Sequence, residues 1–263
     1  MGGSHANCLR FAASHTSEHE YDVDFAVPIY GSGTFAGSLV MKDRLGKDIL
    51  NPIIITKLNE HLKLSKGEAF WVVSNFLGNH ANRISLIKTD EMFDFLNLDS
   101  NGHSFSENVE LLPYNLIKEI MSRMIAPLEE LFVQLSTKKL SGIIHIEGPP
   151  PVWDEQHIEA HLLDAQKKLA IQRMNSHGDQ STDFEINPFD FRKKMWLIQC
   201  EVTQEICERN NVIYLHPPAH LFNEQGGLIE KALKDSVHAN TWYGKEILTQ
   251  INDEITKGLE NEV

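Results

Sequence analysis

Four short runs of almost uninterrupted apolar residues, separated by longer stretches with helical spacing, constrain the fold of this chain most. They occupy residues 25–30, 69–73, 142–146 and 212–216 and are rich in β-branched and aromatic side chains. A strand with one solvated face alternates apolar and polar residues, whereas a parallel strand covered by helices on both faces is apolar throughout. The runs therefore predict buried parallel strands.

Helical patterns fill the intervals between these runs. They span roughly residues 48–62, 114–135, 153–174 and 189–209, and a last helix shows an apolar stripe at Ile247, Leu248, Ile251 and Ile255. The resulting β-α-β-α order predicts an α/β fold with a mainly parallel sheet. With 263 residues, the chain is expected to form a single domain, 1–263, with loops or insertions near 99–108 and 175–187.

Composition excludes several classes of partner. The formal net charge of −13 argues against nucleic acid and against anionic membrane surfaces, because both need a basic footprint. No apolar run approaches the ~18 residues of a membrane helix, and the first twenty residues lack a secretory apolar region. The three cysteines form no paired framework, which is typical of a reducing compartment. We therefore expect a cytoplasmic protein.

Polar residues that directly follow the strands mark where a site is expected, because ligands of parallel sheets bind at the carboxyl ends of strands. Such residues follow the second run at Gly78-Asn79-His80-Ala81-Asn82. The sequence Gly2-Gly3-Ser4-His5 opens the chain ahead of a predicted helix start, and Asp235-Ser236-Val237-His238 precedes the last helix.

These residue types suit nucleophilic catalysis. Asp235 and His238 are three residues apart and can meet on one turn. A carboxylate bonded to one imidazole nitrogen fixes the tautomer, so the other nitrogen can take a proton from a serine hydroxyl. The sequence thus offers Ser4 as nucleophile, His238 as base and Asp235 as its orienting partner.

At these residues the chain resembles the SGNH (GDSL-type) hydrolase family. Ser4 matches the nucleophile block, Gly31 or Gly33 the glycine block, and Gly78-Asn79 the asparagine block; Asp235, His238, Asn240 and Tyr243-Gly244 match the last block. The resemblance implies a flavodoxin-like, three-layer α/β/α sandwich. It also implies an oxyanion hole made by the amides of Ser4 and of Gly31 or Gly33 together with the Asn79 side chain.

The chain departs from the family pattern at three points. Gly3 stands where an acidic residue usually precedes the serine, and the asparagine block is altered, so a shift of register would make Asn82 the donor instead of Asn79. The family also places a β-strand before the serine, whereas only three residues precede Ser4 here. We therefore expect that the sequence as given lacks that first strand.

The resulting hypothesis is a serine ester hydrolase that acts on an acyl ester of a small molecule or a glycan, without a cofactor. An acyltransferase with the same triad is one alternative, and a non-catalytic glycan- or peptide-binding domain on the same scaffold is another. The pair His157 and His161 has metal-ligand spacing, but no third ligand is marked, so no metal site is predicted. The sequence leaves the oligomeric state open.

Overall fold

Helices make up most of the part of the chain that the computed structural model describes, which is residues 6–15, 20–25, 39–46, 48–64, 68–88, 93–95, 109–162 and 185–260. In chain order they are α1 (Ala6–Ser14), α2 (Pro52–Leu64), α3 (His80–Ser85), α4 (Tyr114–Ile125), α5 (Pro127–Ser136), α6 (Glu155–His161), α7 (Phe189–Arg209) and α8 (Thr241–Glu260). No helix within these ranges is long and apolar enough to cross a membrane.

The described strands form three small sheets. They are β1 (Val40–Lys42), β2 (Asp48–Leu50), β3 (Trp71–Ser74), β4 (Phe93–Phe95), β5 (Glu110–Leu112), β6 (Gly142–Ile146) and β7 (Ile213–Leu215). Strands β1 and β2 pair in antiparallel fashion, and β4 pairs with β5 in parallel. The central sheet is parallel, with the order β3-β6-β7.

Helices cover both faces of the central sheet. Val72 and Ile143 belong to one apolar core, which α2, α4, α5 and α7 complete. Ile144 and Ile146 point to the opposite face, where they pack with Leu215 against α1 and α8. Successive residues of a strand point to opposite faces, so an apolar run such as β6 supplies both cores. The fold is therefore α/β with a parallel sheet between two helical layers, as the sequence predicts.

Three of the four predicted strands are confirmed. The runs 69–73, 142–146 and 212–216 correspond to β3, β6 and β7, with boundaries that differ by two residues or fewer. The run at 25–30 lies outside the described residues except for Phe25. The predicted loop at 99–108 lies wholly outside them, and the loop at 175–187 is described only from Glu185, where Ile186 bridges to Ile87.

The predicted helix at 114–135 is two helices, α4 and α5, that meet at Ala126 and Pro127. Proline has no N–H for the intrahelical bond and its ring crowds the preceding turn, so it starts a new helix instead of continuing the old one. The helix predicted at 48–62 is preceded by strand β2 and begins at Pro52 for the same reason.

Of the other two predicted helices, one is confirmed and the other is shorter than predicted. The helix at 189–209 has the predicted bounds. The helix predicted at 153–174 begins at Glu155, because the Asp154 side chain caps it by accepting from the N–H groups of Gln156 and His157. It ends at His161, and Leu162 has an extended backbone, so the prediction of one continuous helix is wrong at this residue. Residues 163–174 lie outside the described residues.

Candidate active site

Asp235 and His238 form the hydrogen-bonded pair that their spacing predicts. The Nδ1 atom of His238 lies 2.9 Å from Oδ1 and 3.0 Å from Oδ2 of Asp235. Asp235 Oδ1 also accepts from the backbone N–H groups of Val237 and His238, at 3.0 and 2.9 Å. The carboxylate thus folds the turn and orients the imidazole at once, so Nδ1 carries the proton and Nε2 is the basic nitrogen.

The charge of Asp235 is stabilised in its folded surroundings. Burial acts to raise the pKa of its carboxyl, but the bonds from the His238 side chain and from two backbone amides outweigh burial and lower the pKa to about 2. Asp235 is therefore ionised at neutral pH. A fixed negative charge beside Nδ1 is what an imidazole needs if it is to accept a proton at Nε2.

The residues that follow His238 connect this turn to helix α8. The Asn240 side chain donates to the carbonyl groups of Lys231 and Leu233 and accepts from the N–H of Tyr243. Asn240 therefore ties the loop before the pair to the first turn of α8. Asn240, which belongs to the last of the sequence blocks described above, thus stabilises the connection between this loop and α8.

Gly244 brings helices α8 and α1 into close contact. A Cβ atom at Gly244 would lie 2.2 Å from the carbonyl oxygen of Cys8, so any larger residue would push the two helices apart. Cys8 is in the first turn of α1, and Gly244 is in the first turn of α8. The helix that follows Ser4 and the helix that follows His238 therefore meet at their first turns.

Three predicted site residues, Ser4, Gly31 and Gly33, lie outside the described residues. Their predicted roles as nucleophile and oxyanion-hole donors remain predictions. The helix predicted to start after Ser4 is confirmed, since α1 begins at Ala6.

Asn79 and Asn82 differ in the way their amide groups are used. The Nδ2 group of Asn82 donates to the carbonyl of Pro149 at 3.2 Å, and the residue is buried. Asn79 directly precedes α3 without capping it, and its buried Oδ1 atom has no hydrogen-bond partner among the described residues. Asn82 thus holds α3 against the loop after β6, whereas no side-chain hydrogen bond of this kind is observed for Asn79.

An apolar cluster brings the asparagine block and the last block together. Val237, between Asp235 and His238 in the chain, packs with Val152 from the loop after β6 and with Leu86 from the end of α3. That loop and α3 follow the carboxyl ends of β6 and β3, respectively. The turn between Asp235 and His238 and the end of α3 therefore both pack against the loop after β6, which follows the carboxyl end of a central strand.

A buried polar group that was not predicted from the sequence directly follows strand β6. Glu147 is the first residue after β6, and its Oε1 accepts from the side-chain amide of Gln199 at 2.6 Å and from the N–H of Gly148 at 2.8 Å. Its Oε2 accepts from the hydroxyl of Tyr214 at 3.1 Å. A charged residue at the end of an apolar run was the available signal, because such a residue is buried only when it is well partnered.

Burial is the main influence on the acidity of Glu147. It raises the pKa of the carboxyl to about 7, although the hydrogen bonds from Gly148, Gln199, Tyr214 and Thr203 act in the opposite direction. Glu147 is thus a buried group that titrates near neutral pH, directly after the carboxyl end of β6.

The histidine pair with metal-ligand spacing does not meet a third ligand among the described residues. The rings of His157 and His161 stack with their centroids 4.1 Å apart, and Nδ1 of His161 bonds to the carbonyl of His157. The described part of the chain contains no group of three or more residues that could hold a metal ion.

Comparison of the chain with protein-family models and with curated proteins finds no match. The assignment of a function therefore depends on the residues and geometry described above.

Proposed function

We propose that this protein is a serine ester hydrolase of the SGNH type, with Ser4, His238 and Asp235 as its triad. The observation that carries the proposal is the Asp235–His238 pair, whose bond at Nδ1 prepares Nε2 to act as a base. The contact between Gly244 and Cys8 adds support, because it joins the helices that follow His238 and Ser4.

In the proposed reaction, the Ser4 hydroxyl attacks the ester carbonyl while His238 Nε2 takes its proton. Asp235 stabilises the imidazolium that forms. The tetrahedral intermediate collapses by expelling the alcohol, which receives the proton from His238. Water, deprotonated by His238, then releases the acid from the acyl-serine and regenerates the hydroxyl.

The negative charge on the carbonyl oxygen needs donors that are already in place. We assign this role to the Asn79 side chain, with the backbone amides of Ser4 and of Gly31 or Gly33. Asn79 is favoured over Asn82 because the Asn82 amide is bonded to Pro149.

The substrate class that this chemistry fits is an acyl ester of a small molecule or a glycan, and no cofactor is needed.

We also place the protein in the cytoplasm. The three cysteines, Cys8, Cys200 and Cys207, are buried and form no disulfide bond with one another, which fits a reducing compartment.

Hydrolysis of p-nitrophenyl acetate tests the proposal. Ser4→Ala and His238→Ala are each expected to lower kcat/KM by roughly 10³-fold or more, since the members of a triad act as a unit. Asp235→Asn is expected to lower kcat/KM by a smaller factor. Ser14→Ala, at the exposed end of α1, serves as the matched control and should retain wild-type activity. A Ser4→Ala variant as active as the wild type would refute the proposal.

A further inference from the structure

The turn that carries Asn79 is conformationally demanding. Leu77, two residues earlier, has a φ of 64°, in the left-handed region that leucine seldom adopts. Gly78 then lies directly against Gly148, where a Cβ on Gly148 would be 1.7 Å from the carbonyl oxygen of Gly78. Such a backbone persists only when its surroundings fix it.

Gln199 of α7 bonds to this turn on both sides of Asn79. Its Oε1 accepts from the N–H of Ala81 at 2.7 Å, and its Nε2 donates to the carbonyl of Gly78 at 3.2 Å. A single side chain thus spans the residue before Asn79 and the residue two positions after it. Because Gln199 is buried, water does not compete for these bonds.

Glu147 fixes the orientation of the Gln199 amide. Its Oε1 lies 2.6 Å from the same Nε2 group, and the N–H of Gly148 and the hydroxyl of Tyr214 bond to the carboxyl in turn. Nε2 donates to the carbonyl of Gly78 and to Oε1 of Glu147. If the amide were rotated by 180°, its oxygen would face both of these acceptors and neither hydrogen bond could form. The carboxyl therefore determines which end of the amide faces Gly78.

We propose that Gln199, anchored by the buried carboxyl of Glu147, is a positioning residue that fixes the turn 78–81 and thereby aims the Asn79 side chain at the developing oxyanion. This inference rests on the proposed hydrolase function. It explains why a polar network is buried against the turn 78–81, although an apolar packing of the same volume would cost less to bury. Neither Gln199 nor Glu147 touches the substrate in this account.

A double-mutant cycle on ester hydrolysis tests the assignment. Gln199→Met keeps the length of the side chain and removes its hydrogen bonds, so kcat should fall roughly 10–10²-fold while KM changes less than about threefold. In an Asn79→Ala background, Gln199→Met should lower kcat by less than about threefold, because the donor that Gln199 positions is already absent. Gln204→Met, on the exposed face of α7, is the matched control and should leave kcat unchanged.

The outcomes separate this inference from the function on which it rests. Activity that does not depend on Ser4 refutes the hydrolase and removes the inference with it. Activity that depends on Ser4, combined with additive losses in the cycle or with an unaffected Asn79→Ala variant, overturns the role of Gln199 alone. If Gln199→Met does not fold, Gln199→Asn replaces it; this variant retains a buried amide that is one methylene too short to reach both sides of the turn, and the same non-additive result is expected.

Discussion

The Asp235 carboxylate makes two kinds of hydrogen bond: it accepts from the backbone of its own turn and from the imidazole of His238. Its Oδ1 closes the turn through the N–H groups of Val237 and His238, and both oxygens lie within bonding distance of the imidazole. The hydrogen bonds from the backbone fix the position of the carboxylate, and the carboxylate in turn orients the imidazole ring of His238. An aspartate that only capped the turn would not need to reach Nδ1, so the shared geometry favours a functional role.

The two asparagines of the altered block are expected to respond differently to truncation. Asn79→Ala should lower kcat by roughly 10²–10³-fold with little change in KM, as the loss of one oxyanion donor typically does. Asn82→Ala should instead destabilise the fold by about 1–3 kcal/mol, because it removes a buried bond to Pro149. Steady-state kinetics and urea unfolding of both variants measure these effects. A steep loss of kcat for Asn82→Ala alone would show that the register is shifted.

At the scale of elements, the contact between α1 and α8 determines how the two ends of the chain meet. We expect Gly244→Ala to destabilise the protein by about 2–4 kcal/mol, since its Cβ would overlap the backbone of Cys8. Gly258→Ala on the same helix is the control: its Cβ would lie 3.2 Å from the ring of Trp71, so only a small adjustment is needed. Chemical denaturation of both variants gives the comparison, and equal stabilities would contradict this account of the contact.

At the scale of the whole molecule, Glu147 links the free energy of unfolding to pH. Its folded pKa of about 7 exceeds the unfolded value of ~4.3, so the native state binds the proton more tightly. Stability should therefore fall as pH rises from about 4 through 7, by up to about 4 kcal/mol from this group.

Glu147→Gln should remove that part of the pH dependence, which urea unfolding at pH 5 and pH 8 can measure. The exposed Glu224→Gln provides the matched control. A wild-type protein and a Glu147→Gln variant with the same change in stability between the two pH values would show that the carboxyl does not titrate in this range.

Local patterns account for the parts of the structure that the sequence predicts. Strand β6 is one apolar run, and the contact between Asp235 and His238 needs only three residues of chain. The break at Pro127 was also predictable from proline chemistry. The contacts of Gln199 and Gly244 could not be predicted from local patterns, because each involves residues that are distant in sequence. Gln199, for example, bonds to Gly78 across 121 positions. Such contacts arise from packing, which periodicity does not encode.

Reaction with a fluorophosphonate probe, followed by mass-spectrometric mapping of the modified peptide, shows whether Ser4 is an activated nucleophile. A serine activated by His238 should form one covalent adduct, on Ser4, and labelling should be lost in Ser4→Ala and strongly slowed in His238→Ala. Ser14→Ala should be labelled like the wild type. An adduct on a different residue, or equal labelling of the wild type and Ser4→Ala, would contradict the assignment of Ser4, His238 and Asp235 as a catalytic triad.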